Sequence, residues 1–268
     1  MSRCGGVCDH PPFEGAGVNE AMRELDLEVW GQRMVRFVAT LEAPVMAIYG
    51  REFDVALKSD QSPVTEADWW VHRQIMQFLA EMTPDIPVLS EESADIPWST
   101  RSGWRRFWLV DPIDGTREFV NKTGEFTINV ALIDEGRPVL GVVGVPAQGQ
   151  IYLGCPAKGA YRFATSELSS SLSECFNTQS IGAVESAAVP RVVASRSHLD
   201  PQTRQYIEAL GAHELVQAGS SLKFCRIAEG LADLYPRFGP TSEWDTAAAQ
   251  CVVEQAGEPE MVEVTRIV

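Results

Sequence analysis

Positive charge is scarce in this chain: 22 Lys and Arg stand against 37 Asp and Glu, a formal charge of −15 with an isoelectric point near 4.7. So acidic a surface repels nucleic-acid backbones and anionic leaflets, and neither is expected as a partner. A phosphate-bearing ligand would need cations supplied locally, and bound metal supplies them most directly. Long apolar runs are also missing. No run of 18 or more apolar residues occurs, so no membrane span is expected, and residues 1–20 hold no apolar core of a secretory signal. The six cysteines (Cys4, Cys8, Cys155, Cys175, Cys225 and Cys251) lack zinc-site spacing. Scattered thiols fit a reducing compartment, and a cytoplasmic location is expected. Cys4, Cys8 and His10 lack a fourth ligand and are read as part of a flexible N-terminal extension over 1–21. Internal repeats and low-complexity blocks are absent.

The 268 residues suffice for one large domain or two closely packed ones. From Met22 to Tyr49 apolar residues recur at helical spacing, with a bend or break expected near Pro44. A second helix is expected from about Glu66 to a stop near Thr83-Pro84. Strand signals follow at Val88-Leu89, 107–110, 126–133, 138–145 and 151–153. Residues 165–187 are Ser-rich and read as a surface connection. Beyond them strands at 192–194 and 232–235 alternate with helices at 201–210, 221–229 and 245–255. The order suggests an α+β unit over 22–164, carrying most of the chemistry, followed by an α/β unit over 165–268.

The most informative stretch is 108–116, WLVDPIDGT, in which an apolar strand delivers Asp111 and Asp114 to the loop at its end. Pro112 stiffens that loop and Gly115 lets a ligand approach the backbone. Asp114 is placed to cap the helix that follows. Clustered carboxylates repel one another unless a cation lies between them, and hard oxygen ligands of this kind suit Mg²⁺. Glu91 and Glu92 stand at another strand end and Asp245 at a helix start. Taken singly, these are ordinary surface charges and caps. The seven tryptophans form no coherent stacking platform and are read as core and rim residues.

In combination, SPVTEAD (62–68), LSEES (89–93), WLVDPIDGTREF (108–119), GEFTINVALIDEGRPVLGVV (124–143) and WDTAAA (244–249) resemble the inositol-monophosphatase superfamily, in its order and over most of the chain. The segments at 195–198, 219–224 and 235–239 resemble its bacterial branch that hydrolyses 3′-phosphoadenosine 5′-phosphate. The resemblance implies a layered α-β-α-β-α sandwich with metals between its halves. It also implies two or three Mg²⁺ held by Glu91, Asp111, Asp114, Asp245 and the Ile113 carbonyl. The water-activating pair falls on Asp68 and Thr116. Gly115, Thr116, His198, Ser220, Lys223, Arg237 and Asp245 match positions that contact substrate. A small phosphorylated nucleotide is the expected substrate, the protein being a monomer or homodimer, and lithium inhibition is expected.

The implied reaction is direct in-line attack of water on a phosphomonoester. The chain offers neither a Cys-based phosphatase loop nor a framed His nucleophile, so no phosphoenzyme is expected. After Gly257 the sequence departs from the family pattern, and the last strands of the second half are expected to be shortened or replaced. Three other readings stand beside this one: an inositol or sugar-phosphate phosphatase of the same superfamily, a silent metal-binding regulator, and a nucleotide-binding module without chemistry.

Overall fold

The computed structural model describes residues 16–58, 63–156, 158–168, 180–182, 188–195 and 199–257. Their elements are α1 (Ala16–Tyr49), β1 (Val55–Leu57), β2 (Pro63–Thr65), α2 (Glu66–Met82), β3 (Val88–Ser90), α3 (Trp98–Arg101) and β4 (Arg106–Asp114). Then come α4 (Thr116–Val120), β5 (Thr127–Asp134), β6 (Arg137–Val145), β7 (Gln150–Cys155), β8 (Gly159–Ala164) and β9 (Ser180–Ile181). The chain continues through β10 (Arg191–Ser195), α5 (Pro201–Ala209), β11 (Glu214–Ala218), α6 (Leu222–Ala228) and α7 (Glu243–Gln255). Strands β3 to β9 form one sheet in sequence order, antiparallel except for the parallel β3–β4 pair.

Period-two alternation sorts the strand side chains onto two faces. Trp108, Val110, Ile128, Val130, Leu140 and Val142 meet Met34, Val38, Leu41, Val71 and Ile75 of α1 and α2 in one core. Leu109, Ala131, Val143 and Tyr152 turn the other way, against Leu222, Cys225, Ala248 and Val252 of α6 and α7. Beyond those helices lies the parallel β10–β11 pair, covered by α5 through Val192, Ala194 and Ile207. The layers are therefore α-β-α-β-α, the sandwich expected above.

Several local expectations are corrected. The first helix begins at Ala16, inside the expected extension, because residues 20–24 (EAMRE) are strong helix formers with no breaker among them. It also runs through Pro44 unbroken. Pro44 removes the amide that would bond the Thr40 carbonyl, but Thr40 is exposed, so water can satisfy that oxygen. The expected strand at 232–235 is reduced to a Val192–Leu234 bridge. There the Asp233 carboxylate takes the Arg191 backbone N–H at 2.7 Å and its guanidinium at 2.6 and 2.9 Å, which holds the segment at the strand's edge. Most of 165–187, and residues 258–268 with the expected C-terminal departure, lie outside the described residues.

Helix α7 sits unusually close to the sheet. Gly141 of β6 and Gly154 of β7 are direct partners across the ladder. A Cβ on Gly141 would stand 2.1 Å from the Ala248 carbonyl oxygen, and one on Gly154 would stand 2.6 Å from the backbone at Cys251 and Val252. Helix backbone thus rests directly on sheet backbone, which fixes the height of the whole helix. Gly141→Ala should therefore cost about 3 kcal/mol, at the upper end of overpacking penalties. The check is thermal or urea unfolding, and a loss under ~0.5 kcal/mol would mean the helix can move aside.

Candidate active site

Between the two halves opens a cleft of about 250 Å³ bordered by Glu91, Asp114, Thr116, Lys223, Arg237 and Asp245. Its acidic wall comes from β4. The ladder pairs Asp111 with Asn129 and Asp114 with Thr127, three steps on β4 against two on β5. In a regular strand, residues three apart point to opposite faces. The one-residue bulge at Pro112-Ile113 restores the phase, so both aspartates face α6 and α7 while Ile113 is buried in the opposite core. The parallel register pairs Ser90 with Val110, which brings Glu91, one residue on, alongside Asp111.

Asp245 arrives from the first turn of α7, where it is the acidic member of a capping box with Ser242. Its Oδ2 accepts the Thr241 hydroxyl at 2.8 Å and the Ser242 N–H at 3.1 Å. Asp68 is placed the same way at the start of α2, its Oδ2 accepting the Thr65 N–H (2.8 Å) and hydroxyl (2.6 Å). The Thr116 Oγ1 lies 3.2 Å from Asp68 Oδ1 and 3.3 Å from the Ile113 carbonyl. Asp114 does not cap α4. Gly115 occupies that cap in the left-handed region (φ 87°), and the Asp114 carboxylate instead accepts the Ser221 N–H at 2.5 Å.

Burial raises the pKa of Asp68, outweighing the Thr65 hydrogen bonds and the charge of Lys58. Asp111 is held well above the carboxylate range, first by burial and then by the charges of Glu91, Asp114 and Asp245. Asp114 is pushed up to about 7 by burial and Asp245, against the pull of Lys223 and the Ser221 N–H. Burial likewise raises Asp245, against Thr241, Ser242 and Arg237. The Asp111 Oδ1 atom is buried with no hydrogen-bond partner. The four carboxylates therefore share one negative field, with an orphaned oxygen inside it, and the set suits a hard divalent cation. As they stand, the described residues form no ready cage of three or more His, Cys, Asp or Glu. Instead Asp114, Asp245 and Glu91 are held by protein donors, as expected of like charges spaced by repulsion.

The motifs assign no role to two elements of the site. Lys58 places its ammonium 2.7 Å from Glu91 and 2.6 Å from Glu92. Burial would lower its pKa, but the two carboxylates reverse that and raise it. Behind Asp114 a buried relay joins Ser221 Oγ to Asn129 Oδ1 (2.7 Å) and to Thr127 Oγ1 (2.8 Å). The scarcity of lysine was the available clue to Lys58, whereas Thr127 and Asn129 differ in nothing from polar residues on a solvated strand face.

Of the residues expected to meet substrate, Ser220 sits in the left-handed region (φ 45°) beside Thr127. Lys223 is buried, its ammonium 2.6 Å from the Ser220 carbonyl and 5.3 Å from the centre of the Tyr235 ring. Arg237 is exposed at the cleft and donates to the Pro240 carbonyl at 3.0 Å. His198 lies outside the described residues. Trp108 is fully buried whereas Trp69 and Trp98 are exposed.

A model of the inositol monophosphatase family matches residues 32–265. The 3′(2′),5′-bisphosphate nucleotidase CysQ of Escherichia coli O157:H7 is 49% identical over 216 residues, 80% of this chain and 82% of that protein. The crystal structure of CysQ from Bacteroides thetaiotaomicron aligns with a TM-score of 0.72 and 37% identity, covering 90% of this chain and 88% of that one. An IMPase/NADP phosphatase complexed with Mg²⁺ and phosphate shares the fold at 20% identity, with a TM-score of 0.68 over 86% of this chain and 82% of that one.

The raised Asp114 value has a definite sign. A carboxylate whose pKa is higher folded than unfolded makes the folded state bind more protons, so its contribution to stability is full below ~4 and is lost as pH rises through the folded value. With chelator present, wild-type protein should lose roughly 2–4 kcal/mol relative to Asp114→Asn as pH rises from ~4 through about 7. Mg²⁺ near neutral pH should stabilise the wild type by ~2.7 kcal/mol at a hundredfold excess over Kd, and the variant by less. Parallel stability curves for the two proteins in chelator would refute the shared-field account.

Proposed function

The chain belongs to the inositol monophosphatase family, and from that premise we propose that it is a magnesium-dependent phosphomonoesterase, a 3′(2′),5′-bisphosphate nucleotidase. Its reaction is removal of the 3′-phosphate of 3′-phosphoadenosine 5′-phosphate to give AMP and phosphate. The observation that carries the reading is the meeting of Glu91, Asp111, Asp114 and Asp245 in one field beside the Thr116–Asp68 pair. Those four carboxylates and the Ile113 carbonyl would hold the magnesium ions, two or three of them, and the orphaned Asp111 oxygen fits the role of a ligand. When bound, magnesium polarises the phosphoryl group and lowers the pKa of the attacking water.

The chain's own part is positioning and proton management. Thr116 donates its hydroxyl proton to Asp68, which leaves its lone pairs to accept a proton from water approaching the phosphorus in line. The Thr65 donors fix Asp68, and burial makes it more basic. As the water oxygen bonds to phosphorus, the bond to the 3′ oxygen breaks; that oxygen takes a proton from solvent water in the cleft, and the proton accepted at Thr116 and Asp68 returns to solvent. Gly115 is fixed as glycine by its left-handed backbone and by Ser220, whose Cβ would lie 3.1 Å from a Cβ there, and its main chain borders the cleft where the phosphate would sit.

Lys223 and Arg237 supply cations for the second phosphate. The buried ammonium has donors to spare beyond the Ser220 carbonyl, and the guanidinium can form a bidentate fork. Ser220 and His198 complete the contacts to the nucleotide. An inositol phosphate has no second phosphate for these cations, which favours the nucleotide.

Phosphate release from 3′-phosphoadenosine 5′-phosphate should exceed that from inositol 1-phosphate and vanish without Mg²⁺. Asp111→Asn should lower kcat roughly 10²-fold or more, as loss of one electrostatic stabiliser commonly does. Preference for the inositol ester would instead support the sugar-phosphatase reading, and Mg²⁺ binding without turnover the silent regulator. Lys223→Ala or Arg237→Ala should raise KM for the bisphosphate about tenfold while leaving that for inositol 1-phosphate nearly unchanged, as expected for loss of a charge-assisted bond. Equal effects on both esters would remove the basis for assigning these cations.

A further inference from the structure

On the other side of the α7 N-terminus from the cleft lies a second cavity, of about 510 Å³ against about 250 Å³ for the cleft. Leu89, Leu109 and Ile133 of β3, β4 and β5 line it, with Trp98, Trp104 and Phe107 as its aromatic wall. The facing wall is one side of α7, from Glu243 to Glu254. Thr246 borders both cavities, but none of the four carboxylates of the cleft lines this one. We propose that this cavity is a separate binding site for a small planar aromatic molecule bearing one anionic group.

The volume falls within the range of small-molecule sites. Trp98 leaves 69% of its surface exposed at the cavity, a large flat apolar face open to a ring. The short helix α3 puts Trp98 and Arg101 three positions apart on one side. The Arg101 guanidinium carbon lies 5.4 Å from the centre of the Trp98 ring, and its Nε is buried without a hydrogen-bond partner. A guanidinium does not deprotonate in proteins, so Arg101 brings a fixed positive charge to the cavity lining beside that ring. An anion beside an aromatic ring meets both features at once. Arg137 lines the cavity as well, but Glu243 and Glu254 balance the two guanidiniums, so a second anionic group finds no surplus of positive charge. That balance suits a ligand of lower charge than the nucleotides proposed for the cleft.

8-Anilinonaphthalene-1-sulfonate has the required form, a fused ring with one sulfonate, and reports its own binding by fluorescence. It is titrated into the full chain with Mg²⁺ and inorganic phosphate present to fill the cleft. One saturable site is expected, undisturbed by Mg²⁺ and phosphate. Trp98→Ala and Arg101→Ala should each weaken it about tenfold or more, and Arg101→Lys, which loses the planar fork, should weaken it too. Trp69→Ala, at an exposed aromatic on α2, should bind as wild type does. Circular dichroism checks folding, and the exposed Trp98 variant carries the test if Arg101→Ala does not fold. Unchanged binding in Trp98→Ala, no saturable binding, or displacement by Mg²⁺ with phosphate would overturn the proposal. So would a dimer in sedimentation that Trp98→Ala dissociates, since the cavity would then be an interface between copies.

Discussion

Carboxylates that share a buried space repel one another strongly, and burying each ion costs several kcal/mol even after relaxation. Asp111, Asp114 and Asp245 meet that condition, and the surrounding structure can be understood as the set of devices that holds them there. Helices α2 and α7 both turn their N-termini toward the site, each through a capping box whose acidic member is a site residue. The Ser221 amide holds Asp114 and the Lys58 ammonium holds Glu91. A helix terminus contributes ~0.3–1 kcal/mol, up to about 2 in favourable geometry, less than the burial of several charges demands. The remaining deficit falls on Asp111, whose Oδ1 has no partner. A cation can meet it where neutral donors do not.

Much of this was legible in the residues. The apolar run ending in DPIDGT announced a strand with carboxylates at its tip, and the family motifs located Asp68, Glu91 and Asp245. The layer order came with the family resemblance, since the pattern of elements by itself reads only as an α+β unit followed by an α/β unit. What escaped was set by tertiary contacts. That Asp111 and Asp114 face the same way depends on a bulge, and two extended residues look alike in sequence whether or not the ladder slips between them. Capping of α4 by Asp114 was a sound local expectation, but the Ser221 amide, 107 positions away in the chain, took the carboxylate. Strand β11 is mostly solvent-facing and has no apolar run to mark it. Lys58 and the Thr127–Ser221–Asn129 relay became visible only when distant segments were brought together.

Asp68 and Asp245 also show that a structural role and a chemical one need not compete. Each was open to the ordinary reading of a helix-start carboxylate, and each does belong to a capping box. The same hydrogen bonds that satisfy the helix end fix the carboxylate's orientation at the cleft. The second Asp68 oxygen is left for Thr116, so one side chain ties the fold to the proposed proton path.

The Gly141–Gly154 seat beneath α7 bears on how the site tolerates sequence drift. Because main chain rests on main chain there, the helix's height is set without reference to the size of any side chain. Residues on its outer face, Gln250 and Glu254 among them, can be exchanged without lifting the rod that carries Asp245. The two glycines enjoy no such freedom, since even a single methyl at either would reach the Asp245 carboxylate as a shift of the entire helix.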